Sequence, residues 1–163
     1  MLLRPRQKIF VEKSVAALKE HGNTLGVAMT GAGKTLMFYA VTAEILKDTR
    51  GKACVLAHRD ELTSQNTDKF RKINTGLTTS IFDATTKSWD GDATFAMVQT
   101  LSRENNLSLI PKLDLLIIDE AHHAVADGYQ KILSAVKTAN QNCMVYGVTA
   151  TPMRGDKKGL RTV

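Results

Sequence analysis

Residues 24–35 read Thr-Leu-Gly-Val-Ala-Met-Thr-Gly-Ala-Gly-Lys-Thr, an apolar run that leads into a glycine-rich turn. The run at 24–28 predicts a strand, and residues from about 34 to 47 predict a helix. Gly31 and Gly33 permit backbone conformations that turn consecutive amide N–H groups toward one anion. The start of the helix adds the positive end of its dipole. Strand, turn and helix together predict a phosphate-binding loop.

The side chains of this loop suit a nucleotide triphosphate. Lys34 can reach the β- and γ-phosphates, and the Thr35 hydroxyl can ligate Mg²⁺. The strict pattern for such a loop begins with glycine, whereas Ala28 holds that position here. The alternative is a glycine-rich helix entry with an incidental lysine. The loop residues that we expect to hold the phosphates are Thr30, Gly31, Ala32, Gly33, Lys34 and Thr35.

Short apolar runs alternate with longer mixed segments along the rest of the chain. We predict further strands at 53–57, 79–82, 94–98, 113–118 and 144–148, and helices at 7–20, 60–71 and around 129–136. The run at 113–118 is almost continuously apolar, which is typical of a strand buried on both faces. Strands that alternate with helices predict an α/β fold, a three-layer sandwich with a mainly parallel central sheet.

Composition narrows the function classes. With 163 residues, a net charge of +6 and a pI of about 9.4, the chain fits one basic domain that suits a polyanionic partner. Cys54 and Cys143 lie in apolar runs and are expected to be buried thiols, not a disulfide or zinc site. No apolar stretch approaches the length of a membrane span, and we expect a cytoplasmic location.

A pair of acidic residues follows the most apolar strand. Leu115–Ile118 is followed directly by Asp119 and Glu120. Ligands of open parallel sheets bind at the carboxyl ends of the strands, where the phosphate loop also lies. We expect Asp119 to hold Mg²⁺ and Glu120 to polarise the attacking water. The alternative is a helix N-cap, because Asp is common at strand-to-helix turns.

The order of motifs resembles the superfamily-two helicases. Asp-Glu-Ala-His at 119–122 and Thr-Gly-Ala-Gly-Lys-Thr at 30–35 resemble their motifs II and I. Residues 3–7 resemble the adenine-reading element, 56–65 motif Ia, 97–100 a backbone-contacting segment, and 149–152 motif III. The likeness spans almost the whole chain. Its opening and closing stretches resemble DNA repair helicases and restriction-enzyme motor subunits more than RNA-processing DEAD-box proteins.

This resemblance implies roles for further residues. Gln7 would read adenine with help from Arg4, although Gln7 also suits an ordinary helix start. The family's nucleic-acid contacts map to Arg59, Gln65, Gln99 and Thr100; for Arg59 and Gln65 a solvated helix face is the alternative. Coupling between the two sites maps to His122, Thr149 and Thr151, and for both threonines turn capping is the alternative. Trp89 either stacks on a base or anchors its loop.

The resemblance also implies a fold and an activity. It implies a RecA-like P-loop NTPase in which the motif III strand lies between the strands of motifs I and II, with Thr149 beside Asp119 and Lys34. Residues 1–153 would form the first lobe and 154–163 the start of a linker to a second lobe that the chain does not contain. We expect an ATP hydrolase of a DNA helicase or translocase that uses ATP and Mg²⁺ and is weak or inactive in isolation. The alternatives are a restriction-complex translocase subunit and a non-catalytic nucleotide- or nucleic-acid-binding module.

Overall fold

The computed structural model describes residues 5–27, 32–57, 60–74, 76–119 and 126–149. At positions 25–27, 32–35, 38, 57, 60–66 and 149 the backbone alone is described. Six helices and six strands are present in these ranges, in the order α1 Pro5–His21, β1 Asn23–Val27, α2 Ala32–Thr49, β2 Ala53–Ala57, α3 Asp60–Ile73, β3 Thr79–Phe82, β4 Ala93–Met97, α4 Val98–Leu101, α5 Glu104–Leu107, β5 Leu115–Asp119, α6 Asp127–Ala139 and β6 Met144–Thr149.

The six strands form one sheet in the order β1-β6-β5-β2-β4-β3. Every pair of neighbouring strands is parallel. The predicted parallel sheet is therefore confirmed. So is the place of the motif III strand, because β6 lies between β1 and β5.

Helices cover both faces of the sheet. Alternate residues of each strand point to opposite faces, so that Ile117 packs on one side and Ile118 on the other. The face of Ile117 is covered by α1, α2 and α3, and the face of Ile118 by α4 and α6. The predicted three-layer sandwich is confirmed.

Several strand boundaries differ from the prediction by one or two residues, and two of these differences concern buried side chains. Val98, predicted to end a strand, begins the single-turn helix α4, and Leu113 precedes β5 instead of starting it. Both side chains are buried, Val98 at 5% exposure and Leu113 at 0%. An apolar pattern reports burial, and these two residues are buried without belonging to a strand.

The loop between β3 and β4, residues 83–92, crosses between parallel neighbours without a helix. It folds back along β3, where Phe82 and Lys87 form an antiparallel bridge. The Trp89 ring lies 5.3 Å from the Phe82 ring, and the Lys52 ammonium donates to the Trp89 carbonyl at 2.7 Å. Trp89 also packs against the core on the α6 side. Trp89 therefore anchors its loop, which is one of the two roles that the sequence left open for it.

Candidate nucleotide-binding site

The carboxyl edge of the sheet brings the two central motifs together. Val148 is the register partner of Gly26 in β1 and of Asp119 in β5, so these three residues form one row across the sheet. Two strand spacings separate Gly26 from Asp119, roughly 10 Å. The glycine-rich stretch starts just beyond Val27, where β1 ends. The last residue of β1 before this stretch therefore lies at the same edge of the sheet as Asp119, with β6 between the two strands.

Helix α2 begins inside the loop sequence. Its first turn contains Ala32, Gly33, Lys34 and Thr35, which places them at the amino end of an 18-residue helix. The positive end of the helix dipole thus lies at the carboxyl edge of the sheet. Thr30 and Gly31 lie outside the described residues.

Asp119 points toward the α2 side of the sheet. It has the same strand parity as Leu115 and Ile117, which pack on that face. An electrostatic contact supports this direction: burial first, and the negative charge of Asp119 second, raise the pKa of the Tyr39 hydroxyl. Tyr39 lies on α2, four positions after Thr35 and therefore one turn further on the same side of the helix. Asp119 itself is half-buried at the end of β5.

The candidate adenine reader lies at the same edge. Helix α1 runs antiparallel to β1, because Gly22 alone connects them at a φ of +81°. The rise from Gln7 to His21 is roughly 21 Å, while the four steps from Asn23 to Val27 span about 13 Å. Gln7 thus lies past the carboxyl end of β1, where it is half-buried.

The candidate nucleic-acid contacts lie in different environments. Gln99 is exposed on α4, whereas Thr100 beside it is 2% exposed. The Thr100 carbonyl accepts a hydrogen bond from the buried Asn106 amide at 2.8 Å. Gln65 belongs to α3, and Arg59 lies outside the described residues. A phosphate contact by Thr100 stays a prediction, and it requires the site around Thr100 to open.

The coupling candidates are described at one position only. Thr149 ends β6 and pairs with Val27, one residue beyond the row that contains Asp119. The predicted neighbourhood of Thr149 and Asp119 is therefore present in the backbone. His122, Thr151, the catalytic candidate Glu120 and the adenine-site candidate Arg4 lie outside the described residues.

Four buried residues that carry polar groups and lie near the site or tie its elements together were not among the sequence-based candidates: Tyr39, Asn106, Ser14 and Tyr146. Tyr39 could have been found from its four-residue spacing to Thr35. Asn106 carried no signal, because an Asn in a short polar stretch predicts only a turn. The hydrogen bond between Ser14 and Tyr146 joins residues 132 positions apart, a distance that no local pattern reports.

Both cysteines are free and buried. Burial raises the pKa of the Cys143 thiol to about 12 and shifts that of Cys54 in the same direction. The expectation of two buried thiols is confirmed. Among the helices that the structure describes, none is both long and apolar enough to cross a membrane.

Comparison with known proteins gives consistent matches. The family described as "Type III restriction enzyme, res subunit" matches residues 1–154. IRC3 of Saccharomyces cerevisiae, named as an ATP-dependent helicase, is 34% identical over 99% of this chain and 25% of its own length. Its namesake in Schizosaccharomyces pombe, named as a mitochondrial ATP-dependent helicase, is 32% identical over 97% of this chain and 27% of its own length. The chain thus spans about a quarter of these relatives.

Solved structures agree on the fold. The Hef helicase domain of Pyrococcus furiosus superposes with a TM-score of 0.76 at 26% identity, covering 95% of this chain and 34% of that one. The SWI2/SNF2 ATPase core of Sulfolobus solfataricus, solved with double-stranded DNA, gives a TM-score of 0.73 at 21% identity over 93% of this chain and 32% of that one. Together with the match over residues 1–154, these findings show that the chain belongs to the Type III restriction enzyme res subunit family and has the RecA-like fold of a superfamily-two helicase lobe.

Proposed function

We propose that this lobe binds and hydrolyses ATP with Mg²⁺ and, joined to a second lobe, drives movement along DNA. The observation that carries the proposal is the row of Gly26, Val148 and Asp119, in which the acidic end of β5 lies two strands from the end of β1, where the glycine-rich stretch begins. A helix end that binds phosphate and a carboxylate two strands away at the same edge of the sheet can hold opposite ends of one metal–triphosphate group.

The residues at this edge fit Mg²⁺. This ion prefers oxygen ligands, keeps several waters and needs only one or two protein groups beside the phosphates. Asp119 supplies a half-buried carboxylate at the strand end, and Thr35 a hydroxyl in the first turn of α2. Bound Mg²⁺ would neutralise charge that develops on the phosphates. Lys34 contacts the phosphates, and Glu120 orients the attacking water.

The remaining assignments belong to the same proposal. Gln7 and Arg4 hold adenine, and the position of Gln7 at the carboxyl edge of the sheet supports this role. The nucleic-acid strand runs past four residues, Arg59, Gln65, Gln99 and Thr100. Coupling between strand and nucleotide runs through three others, His122, Thr149 and Thr151.

We propose that residues 154–163 lead toward the second lobe. An arginine from that lobe would raise hydrolysis by several orders of magnitude, so the chain alone binds ATP and hydrolyses it slowly. The net charge of +6 and the restriction-subunit family support DNA as the partner. We place the protein in the cytoplasm; the mitochondrial name of the S. pombe relative makes the mitochondrion the alternative.

A restriction-complex translocase is the second candidate, and the family match to a restriction subunit favours it over a non-catalytic module. The two motors differ in outcome, because a translocase moves along duplex DNA without separating its strands. Strand-displacement and triplex-displacement assays on the full-length protein distinguish them. Release of a labelled strand from a duplex supports the helicase, and displacement of a third strand without duplex opening supports the translocase.

The decisive experiment is ATP titration calorimetry with Mg²⁺ on the wild type, Lys34→Ala and Lys47→Ala. Lys47 is the matched control, because it is exposed in the last turn of the same helix α2. We expect the wild type and Lys47→Ala to bind ATP, and Lys34→Ala to lose binding while it remains folded. Equal binding by all three proteins, or no binding by the folded wild type, would reject the nucleotide-lobe proposal.

A further inference from the structure

A buried hydrogen bond joins the first helix to the last strand. The Ser14 hydroxyl of α1 and the Tyr146 hydroxyl of β6 are 2.8 Å apart. Both residues are completely buried, at 0% exposure. Burial raises the pKa of Tyr146 to about 12, although the bond to Ser14 lowers it, so the phenol keeps its proton at neutral pH. The bond is thus a neutral, directional contact inside the core.

Each partner of this bond lies a few residues from a part of the candidate nucleotide site on its own element. Ser14 follows Gln7 by seven residues, which is two helical turns, so both lie on one side of α1. Val11 and Leu18 on that side are buried against the sheet. Tyr146 lies two residues before Val148, the member of β6 in the row with Asp119. The bond therefore ties the helix that carries Gln7 to the strand that reaches the site.

The apolar contacts of α1 alone do not fix the position of the helix along its own axis. Burial of Val11 and Leu18 is favourable but non-directional, so it tolerates small shifts of the helix along its axis. A hydrogen bond weakens steeply as distance and angle change. Recognition of a base by the Gln7 amide likewise needs the donor and the acceptor of that amide at the right position relative to the base. A small axial shift of α1 would move Gln7 by the same amount.

We propose that the Ser14–Tyr146 bond is a positioning contact that sets Gln7 and thereby the preference of this site for adenine over other bases. The inference rests on the proposed function, in which Gln7 reads adenine. Ser14 and Tyr146 themselves touch no nucleotide. Phosphate binding by the glycine-rich loop is independent of the bond, so a loss of the bond weakens base recognition selectively.

The test compares binding of ATP and GTP, each with Mg²⁺, by titration calorimetry on the 163-residue chain. Ser14→Ala and Tyr146→Phe each delete one hydroxyl. The ratio of the GTP to the ATP dissociation constant is expected to fall by about threefold to tenfold in each variant, the effect of one net hydrogen bond. This fall arises from weaker ATP binding, while GTP binding stays the same.

Two controls separate positioning from general loosening. Ile132→Val removes a methylene from a fully buried residue on the opposite face of the sheet, so it lowers stability without touching the bond. Its base ratio should equal that of the wild type. Gln7→Ala should abolish the preference, and adding Tyr146→Phe to Gln7→Ala should cause no further change. The double variant Ser14→Ala/Tyr146→Phe leaves no orphan hydroxyl and should fold with the lowered ratio.

The outcomes distinguish this inference from the proposed function. A wild type that binds neither nucleotide rejects the nucleotide lobe, and a wild type that binds both equally rejects adenine reading by Gln7; the inference falls with either. A wild type that prefers ATP and keeps the same ratio in Ser14→Ala and Tyr146→Phe overturns the positioning role alone. So does a further fall of the ratio in the Gln7→Ala background.

Discussion

Replacement of Gly91 by alanine should destabilise the protein at the entry to β4. Gly91 is buried, and a Cβ atom built on it would lie 2.5 Å from the Thr79 carbonyl carbon and 2.8 Å from the Ser80 nitrogen. Both are backbone atoms of β3, which cannot rotate aside as a side chain can. The shortest contact is 0.9 Å inside the 3.4 Å at which ordinary contact begins.

This overlap gives the size of the effect. Relief of the contact moves β3 and the start of β4 apart by about a fifth of a strand spacing. The Ala93 N–H to Thr78 carbonyl bond, now 3.1 Å, would then exceed hydrogen-bond length, and the bond from the Gly91 N–H to the Ser80 hydroxyl would be lost. Overpacking costs about 1–3 kcal/mol and each lost bond about 1 kcal/mol, which together give roughly 3–5 kcal/mol.

Urea unfolding followed by circular dichroism measures this change in the free energy of unfolding. For a slope of about 1–3 kcal/mol per molar urea, the midpoint should fall by at least about 1 M. Gly76→Ala is the matched control, because Gly76 is exposed and a Cβ there meets no described atom within 4 Å. It should change stability little or raise it slightly. Equal midpoints for Gly91→Ala and the wild type would refute the clash argument.

Three further predictions concern charge, thiols and the single tryptophan. Arg59→Ala should make the plot of log binding constant against log salt concentration for single-stranded DNA less steep by about 0.7. Lys112→Ala is the control, because Lys112 is exposed before β5, at the opposite edge of the sheet, and it should leave this slope unchanged. Fluorescence anisotropy at several salt concentrations measures the slopes, and equal slopes for Arg59→Ala and the wild type contradict the assignment. Cys54 and Cys143 should react with a thiol reagent at pH 8 only after unfolding, because burial raises the pKa of both thiols; rapid labelling of the folded chain would contradict this. Trp89 fluorescence should shift to the red on urea unfolding but stay unchanged on DNA binding, since Trp89 packs on Phe82; quenching by DNA would favour base stacking.

The sequence by itself predicted all six strands and the four long helices, but not the single-turn helices α4 and α5. Apolar runs predicted all six strands because buried strands must be apolar, and the run Leu115–Ile118 located Asp119 at a strand end. The glycine spacing before Lys34 predicted the phosphate loop, because few residues permit that backbone. Val98 and Leu113 mark the limit of this reasoning, since both are buried outside strands.

Only the tertiary structure decided which distant residues meet. The row of Gly26, Val148 and Asp119 depends on strand order, which the residues alone leave open and the family resemblance supplied. No pattern in the sequence predicted the crossover from β3 to β4 without a helix, or the packing of Trp89 on Phe82. The Ser14–Tyr146 bond joins positions 132 apart. Such contacts escape a sequence pattern because periodicity records which side of an element is buried, and only packing records what lies against it.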